Sequence, residues 1–224
     1  MTKRLKTLCS LLQKTDVFAD VGCDHGLCSE YMLQNGLCER AIFSDVSKGS
    51  LQKAETLLAD YVAEGRAVGV LGDGFVGVPK SVGLVLIAGM GGSEIVSILS
   101  DKTHGFLPQN FVFQPMHDSE KLRRYLVENG GYITRDFTFE DGKYYDVVCG
   151  RKRKENETQQ AYSDLEYEFG KENLQTRPEA FLRRTVRLLS DVEKYLKNGA
   201  LGVEARQRLE ERKNRLQEVL NGER

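Results

Sequence analysis

Four apolar runs within residues 17–88 each end in a loop rich in glycine or aspartate, and this repetition restricts the fold more than any other feature of the chain. Val17–Val21 runs into Asp20-Val21-Gly22-Cys23-Asp24-His25-Gly26, and Ala41–Asp45 closes on Asp45. Val68–Leu71 precedes Gly72-Asp73-Gly74, and the nearly continuous apolar run Val82–Ala88 precedes Gly89-Met90-Gly91-Gly92. Between these runs lie helical patterns. One covers Leu27–Asn35 and is stopped by Gly36; in another, Leu51, Ala54, Leu57, Leu58 and Tyr61 recur at helical spacing from a cap at Ser47 or Ser50 to Gly65. Alternating strand and helix predicts a parallel sheet with helices on both faces, whose strand-end loops converge where the strand order reverses. Phe111–Gln114 adds a fifth strand and Ser119–Asn129 a helix ended by Gly130-Gly131. Tyr132–Phe139 and Tyr144–Gly150 form an antiparallel pair turned at Glu140-Asp141-Gly142-Lys143, where Asp-Gly is a strong hairpin signal.

The loop chemistry selects the ligand. A dinucleotide loop needs three glycines at G-x-G-x-x-G to seat a pyrophosphate on a helix N-terminus, whereas this loop offers only Gly22 and Gly26, flanked by the acids Asp20 and Asp24. A phosphate there would be repelled, which disfavours a nicotinamide oxidoreductase. S-adenosylmethionine carries a cationic sulfonium and ammonium and no phosphate, and it suits a carboxylate-lined loop. Asp45 would accept the ribose hydroxyls, Asp73 the adenine amino group, and Asp24 would face the methionine end or the acceptor. The expected cofactor-binding set is Asp20, Gly22, Cys23, His25, Gly26, Asp45, Val46, Gly72, Asp73, Gly74, Ala88 and Gly89. The expected catalytic set is Asp24, Gly89, Met90, Gln114 and Pro115. Glycines 89, 91 and 92 each cost roughly 0.5–1 kcal/mol relative to alanine in a regular element, which suggests backbone close to a ligand. Pro115 restricts Gln114 to an extended conformation that can aim its amide into the same crevice.

With 224 residues, 40% of them hydrophobic, the chain can bury one α/β core and a small appendage. No run reaches about 18 apolar residues, and Leu5, Leu8, Leu11 and Leu12 make the N-terminus an amphipathic helix, so a cytoplasmic protein without a membrane segment is expected. Five cysteines without a C-x-x-C pair and three histidines outside ligand spacing argue against a metal site or a disulfide frame. Polar residues 155–160 read as a linker between a unit at 1–154 and another at 155–224. In the second unit Pro178 starts a helix carrying Leu182, Leu189, Val192 and Leu196, Asn198-Gly199 stops it, and Leu209, Leu216 and Leu220 mark a second, giving a small coiled-coil-like helical hairpin. Residues 151–224 hold 17 Lys/Arg against 14 Asp/Glu, while residues 1–150 hold 15 against 19. Arg183, Arg184, Arg187, Arg206, Arg208, Arg212, Lys213 and Arg215 are candidates for gripping RNA phosphates. The same charges can also pair along the helices or line a dimer seam, which leaves the oligomeric state open.

Taken together, Asp20-Val21-Gly22-Cys23-Asp24-His25-Gly26, Phe43-Ser44-Asp45, Gly72-Asp73-Gly74, Ile87–Gly92 and Gln114-Pro115 resemble the bacterial tRNA adenine-22 N1-methyltransferases. The opening Lys3-Arg4-Leu5 helix and the C-terminal helical hairpin extend the resemblance over nearly the whole chain. It implies a Rossmann-like class I methyltransferase, S-adenosylmethionine as methyl donor, and an adenine in the D-arm region of tRNA as acceptor. Met116 follows Gln-Pro where that family more often has asparagine, so another RNA, a small molecule, or non-catalytic cofactor and RNA binding remain as alternatives.

Overall fold

The computed structural model describes residues 1–197 and 201–222. Seven strands, β1 (Thr15–Val21), β2 (Cys38–Asp45), β3 (Ala67–Leu71), β4 (Leu84–Met90), β5 (Asn110–Pro115), β6 (Gly131–Asp141) and β7 (Lys143–Lys152), form one sheet in the order β3-β2-β1-β4-β5-β7-β6. The first five are parallel, and β7 and β6 are antiparallel to their neighbours. The order reverses between β1 and β4, so the switch point lies beyond Val21 and Met90.

The strands read as apolar runs because both faces are covered. On one side α1 (Lys3–Leu11), α2 (Leu27–Gln34) and α3 (Lys48–Leu57) bury Leu8, Met32, Leu51 and Ala54 against Phe18 and Phe43. On the other, α5 (Gly92–Ser100) and α6 (Ser119–Glu128) bury Ile95, Leu99, Leu122 and Leu126 against Val85, Ile87 and Phe113. Ser47, not Ser50, caps α3, its hydroxyl accepting from the Ser50 amide at 3.3 Å. The helix expected to continue to Gly65 is broken at Leu58 into α3 and a short α4 (Ala59–Ala63).

Strand four begins and ends two residues later than its hydrophobic run. Val82 closes a turn, its amide donating to the Pro79 carbonyl, and the Gly83 amide donates to the Val17 carbonyl of β1. Gly89, at φ +84°, forms a bulge that lets Met90 pair with Pro115. The helix α5 was not foreseen, because the glycine run 89–92 masked its start. Glu94 marks that start, its carboxylate accepting from the Gly91 amide at 2.8 Å.

Residues 155–160 are not a free linker. Glu157 forms a two-pronged pair with Arg151, at 2.6 Å on both prongs, and the Gln160 amide bridges the Ile133 backbone. The unforeseen short helices α7 (Asp164–Phe169) and α8 (Lys171–Thr176) follow, then α9 (Glu179–Leu196) and α10 (Val203–Asn221), which pack around Phe169, Phe181, Leu216 and Val219. The Asn198-Gly199 stop lies outside the described residues.

A buried polar cluster ties these helices to the sheet. Arg123, fully buried on α6, donates to both Asp136 oxygens at 3.0 and 2.9 Å and to the Tyr167 and Glu168 carbonyls. Asp146 accepts from Ser119, Thr138 and Arg184. Burial pushes the Asp146 carboxyl up, but Arg184 and Arg123 outweigh it and hold the group down to about 2.

Candidate active site

The loop after β1 is folded over the end of β2 by its own backbone: the Gly22 and Cys23 amides both donate to the Ser44 carbonyl, at 2.8 and 2.9 Å. That turn needs positive φ at Gly22 (+72°) and at Gly26 (+73°), which opens α2. Gly22 is required for a second reason, since a Cβ there would sit 2.2 Å from the Met90 methyl. Asp24 also adopts positive φ, at +50°, and its amide donates to Asp45 at 3.1 Å. The Asp45 carboxylate, fixed from its other side by the Ser47 amide at 2.8 Å, is thereby held at the end of β2 with lone pairs to spare.

These loops enclose a cavity of about 360 Å³ lined by Arg4, Val21, Gly22, Asp24, Asp45, Val46, Gly72, Asp73, Gly74, Ala88, Gly89 and Met90. A second cavity of about 590 Å³ shares Val46, Asp73, Gly74 and Met90 and runs on past Phe75 and Ile98 to His104. Phe75 stacks on Phe106, with ring centroids 4.3 Å apart, to form part of its wall. Both volumes are in the range of small-molecule sites.

Ten of the residues singled out in the sequence therefore meet in one place: Gly22, Asp24, Asp45, Val46, Gly72, Asp73, Gly74, Ala88, Gly89 and Met90. Six do not line that cavity. Asp20 lies behind the loop, buried, accepting from the Ser29 hydroxyl at 3.0 Å; burial pushes its carboxyl up to about 6. Cys23 is buried and its thiol is pushed well above the ordinary range by desolvation and the nearby acids. His25 points outward and pairs with Asp24 at 3.2 Å, while Gly26 packs on Ala54. Pro115 and Gln114 are buried, and the Gln114 amide is committed: its oxygen accepts from Arg4 Nε at 2.7 Å and its nitrogen donates to the Pro115 carbonyl at 3.0 Å. The glycine run also divides. Gly89 faces the cavity, but Gly91 and Gly92 are small because the His117 ring and the Asp118 backbone press against them.

Arg4 is the site residue that sequence reasoning missed as a site residue. A single cation on an amphipathic N-terminal helix has no local pattern that sets it apart, and only the docking of α1 against α2 and the end of β6 brings it to the cavity. Among the described residues no helix is long and apolar enough to cross a membrane, and no group of three or more His, Cys, Asp or Glu is placed to hold a metal ion.

The eight cations proposed on the helical hairpin divide as well. Arg183 pairs with Glu140 and Glu179, Arg184 with Asp146, and both Arg212 and Arg215 with Glu168. Arg187, Arg206 and Arg208 are exposed and Lys213 half-buried, and none of these four has a carboxylate partner among the described residues.

The pattern of the methyltransferase-domain family matches residues 1–148. A Mycoplasma pneumoniae protein described as a putative tRNA methyltransferase is 31% identical over 166 residues, covering 71% of this chain and 75% of the relative. The Bacillus subtilis tRNA (adenine(22)-N(1))-methyltransferase is 29% identical over 153 residues, covering 66% of this chain and 63% of the relative. Among solved structures, Streptococcus pneumoniae Sp1610, described as a putative tRNA (m1A22) methyltransferase, superimposes with a TM-score of 0.89 at 24% identity over 98% of this chain and 99% of its own. A second structure of that protein, in complex with S-adenosyl-L-methionine, gives a TM-score of 0.85 at 22% identity over 98% of this chain and 99% of its own. These likenesses establish a shared fold.

Proposed function

This chain belongs to the methyltransferase-domain family, and from that premise we propose that it is an S-adenosylmethionine-dependent tRNA methyltransferase acting on N1 of adenine 22, the reaction named for its Bacillus subtilis relative. The observation that carries the reading is the meeting of Asp24, Asp45, Asp73 and Arg4 in one cavity at the β1/β4 switch point. Three carboxylates and one cation match a ligand with two cationic groups, one carboxylate and a ribose diol, and they do not match a pyrophosphate.

When bound, S-adenosylmethionine supplies a methyl group already activated by its sulfonium. Adenine N1 has an in-plane lone pair, so the protein's contribution is alignment, which can recover about 7–11 kcal/mol of barrier. Asp45 and Asp73 fix the adenosine end. Asp24, whose carboxylate is 72% exposed and pairs with His25 alone among the described residues, stabilises the positive charge that develops on the methylated base or takes a proton from its amino group. Because N1 lies on the pairing edge, the acceptor must be exposed or flipped to reach the cavity. We read residues 1–154 as the catalytic unit and residues 155–224 as a unit that adds contacts to tRNA in the D-arm region. The cavity-facing residues singled out above keep their proposed roles, Asp20, Cys23, Gly26 and Pro115 support the loops from behind, and Gln114 acts through Arg4. A cytoplasmic location is supported by five free, buried cysteines.

The test is to incubate the protein with labelled S-adenosylmethionine and unmodified bulk tRNA and to identify the product nucleoside by mass spectrometry. The expected product is 1-methyladenosine. Cofactor binding without labelled tRNA would move the acceptor to another RNA or a small molecule, with the exposed Met116 the first residue to replace.

A further inference from the structure

We propose that His117, on the loop after β5, reads the exocyclic amino group of the acceptor adenine through its ring nitrogen Nε2; this rests on the adenine acceptor proposed above. The turn Met116–Asp118 is locked onto the glycine loop after β4. The Met116 amide donates to the Met90 carbonyl and the Gly92 amide to the His117 carbonyl, each at 2.8 Å. Met90 lines both cavities, and the His117 ring lies against the next residue, Gly91, where a Cβ would collide with it. The imidazole therefore stands at the mouth of the site, its side chain 67% exposed. A base approaching the methyl group from solvent meets it there.

Although exposed, the ring is held. Its Nδ1 lies 3.3 Å from Asp118 Oδ2, and that carboxylate is itself fixed by the Ser93 hydroxyl at 2.8 Å and by Lys121 Nζ, 3.4 Å from Oδ1. The Ser93 hydrogen bond holds the Asp118 carboxyl below its ordinary value, so the group is ionised and can only accept. Nδ1 must then carry the proton, and in the neutral ring Nε2 keeps a lone pair with no partner among the described residues. Asp118 serves this arrangement rather than its helix. It sits at the N-cap of α6 without capping it, at φ +56°, a strain of the kind that persists at functional sites. The neighbouring Met116 offers only a sulfur, which accepts from the Gln114 amide at 3.5 Å. A 6-amino group donates to the Nε2 lone pair, whereas the 6-keto oxygen of guanine sets lone pair against lone pair. One nitrogen thus favours adenine and rejects guanine, with Asp118 as the positioning residue that fixes its tautomer.

The experiment uses two tRNAs assembled from synthetic fragments, one with adenine at position 22 and one with purine, which lacks only the 6-amino group. The rate constant for methyl transfer is measured with enzyme in excess. Deleting the amino group should slow the wild-type protein without abolishing methylation. His117→Ala should slow transfer to the adenine tRNA about 3- to 10-fold, the range for one lost hydrogen bond, and leave the purine tRNA unchanged. That unchanged rate also shows that the variant is folded. His117→Gln, whose amide oxygen restores an acceptor, should recover part of the loss. An equal loss on both tRNAs, no loss on the adenine tRNA, or a purine tRNA that the wild-type protein does not methylate at all while methylating adenine overturns the assignment. Methylation of neither tRNA at position 22 by the wild-type protein overturns the acceptor reading and this inference with it.

Discussion

Replacing Asp20 by asparagine should change the pH dependence of stability in one narrow window. Asp20 is buried behind the glycine loop, and its carboxyl is raised from 3.8 to about 6, chiefly by desolvation and against the Ser29 hydrogen bond. The folded protein therefore binds more protons than the unfolded chain between about pH 4 and pH 6, so this group's contribution falls as pH rises through that window and stays low above it. A shift of about two units at 1.36 kcal/mol each corresponds to about 3 kcal/mol. Asparagine has no proton to lose there, and every other titrating group is common to both proteins. An amide nitrogen left without an acceptor would add a constant penalty of about 1–3 kcal/mol without changing the slope. Urea unfolding of both proteins at intervals from about pH 4 to pH 7 should show the stability of Asp20→Asn, relative to wild type, rising by about 3 kcal/mol and then levelling. Parallel curves across the window would refute the placement of a charged carboxylate in the core behind the site.

Other outcomes follow from the same geometry. Arg123→Met strands the buried Asp136 carboxylate and should cost about 3–5 kcal/mol in chemical denaturation, whereas Arg124→Met, which breaks exposed pairs with Glu120 and Asp164 and a cation contact over the Tyr167 ring, should cost much less. Asp24→Asn should lower turnover at least tenfold more than it lowers cofactor affinity; if calorimetry and kinetics fall together, Asp24 belongs to the cofactor pocket. Reversing the charge of Arg187 and Arg208 should weaken tRNA binding severalfold and flatten its salt dependence while leaving cofactor affinity unchanged. Unaltered tRNA binding in a filter assay would remove the helical hairpin from the RNA interface.

The parallel sheet and the cavity at its strand ends were legible in the sequence because two-sided burial writes strands as apolar runs and open sheets form their crevice at strand ends. Asp45 and Asp73 needed nothing more. What was hidden depended on contacts between distant segments. Arg4 reaches the cavity only because Asp141 and Gln114 hold it, 137 and 110 residues away along the chain. Gly91 and Gly92 looked like ligand-binding glycines but are small to admit the His117–Asp118 turn. The supposed linker at 155–160 is polar because its side chains staple it to Arg151 and to the backbone of Ile133. Half of the hairpin's candidate RNA-binding cations proved to be occupied with Glu140, Asp146 and Glu168, partners no local pattern could assign.

The central claim is methyl transfer to one nucleotide, and the direct measurement uses two tRNA transcripts that differ only at position 22, adenine in one and guanine in the other. With S-adenosylmethionine present, the protein should form 1-methyladenosine in the first and none in the second. Equal methylation of both transcripts would contradict the assigned acceptor, and no methylation of either would contradict the tRNA reading itself.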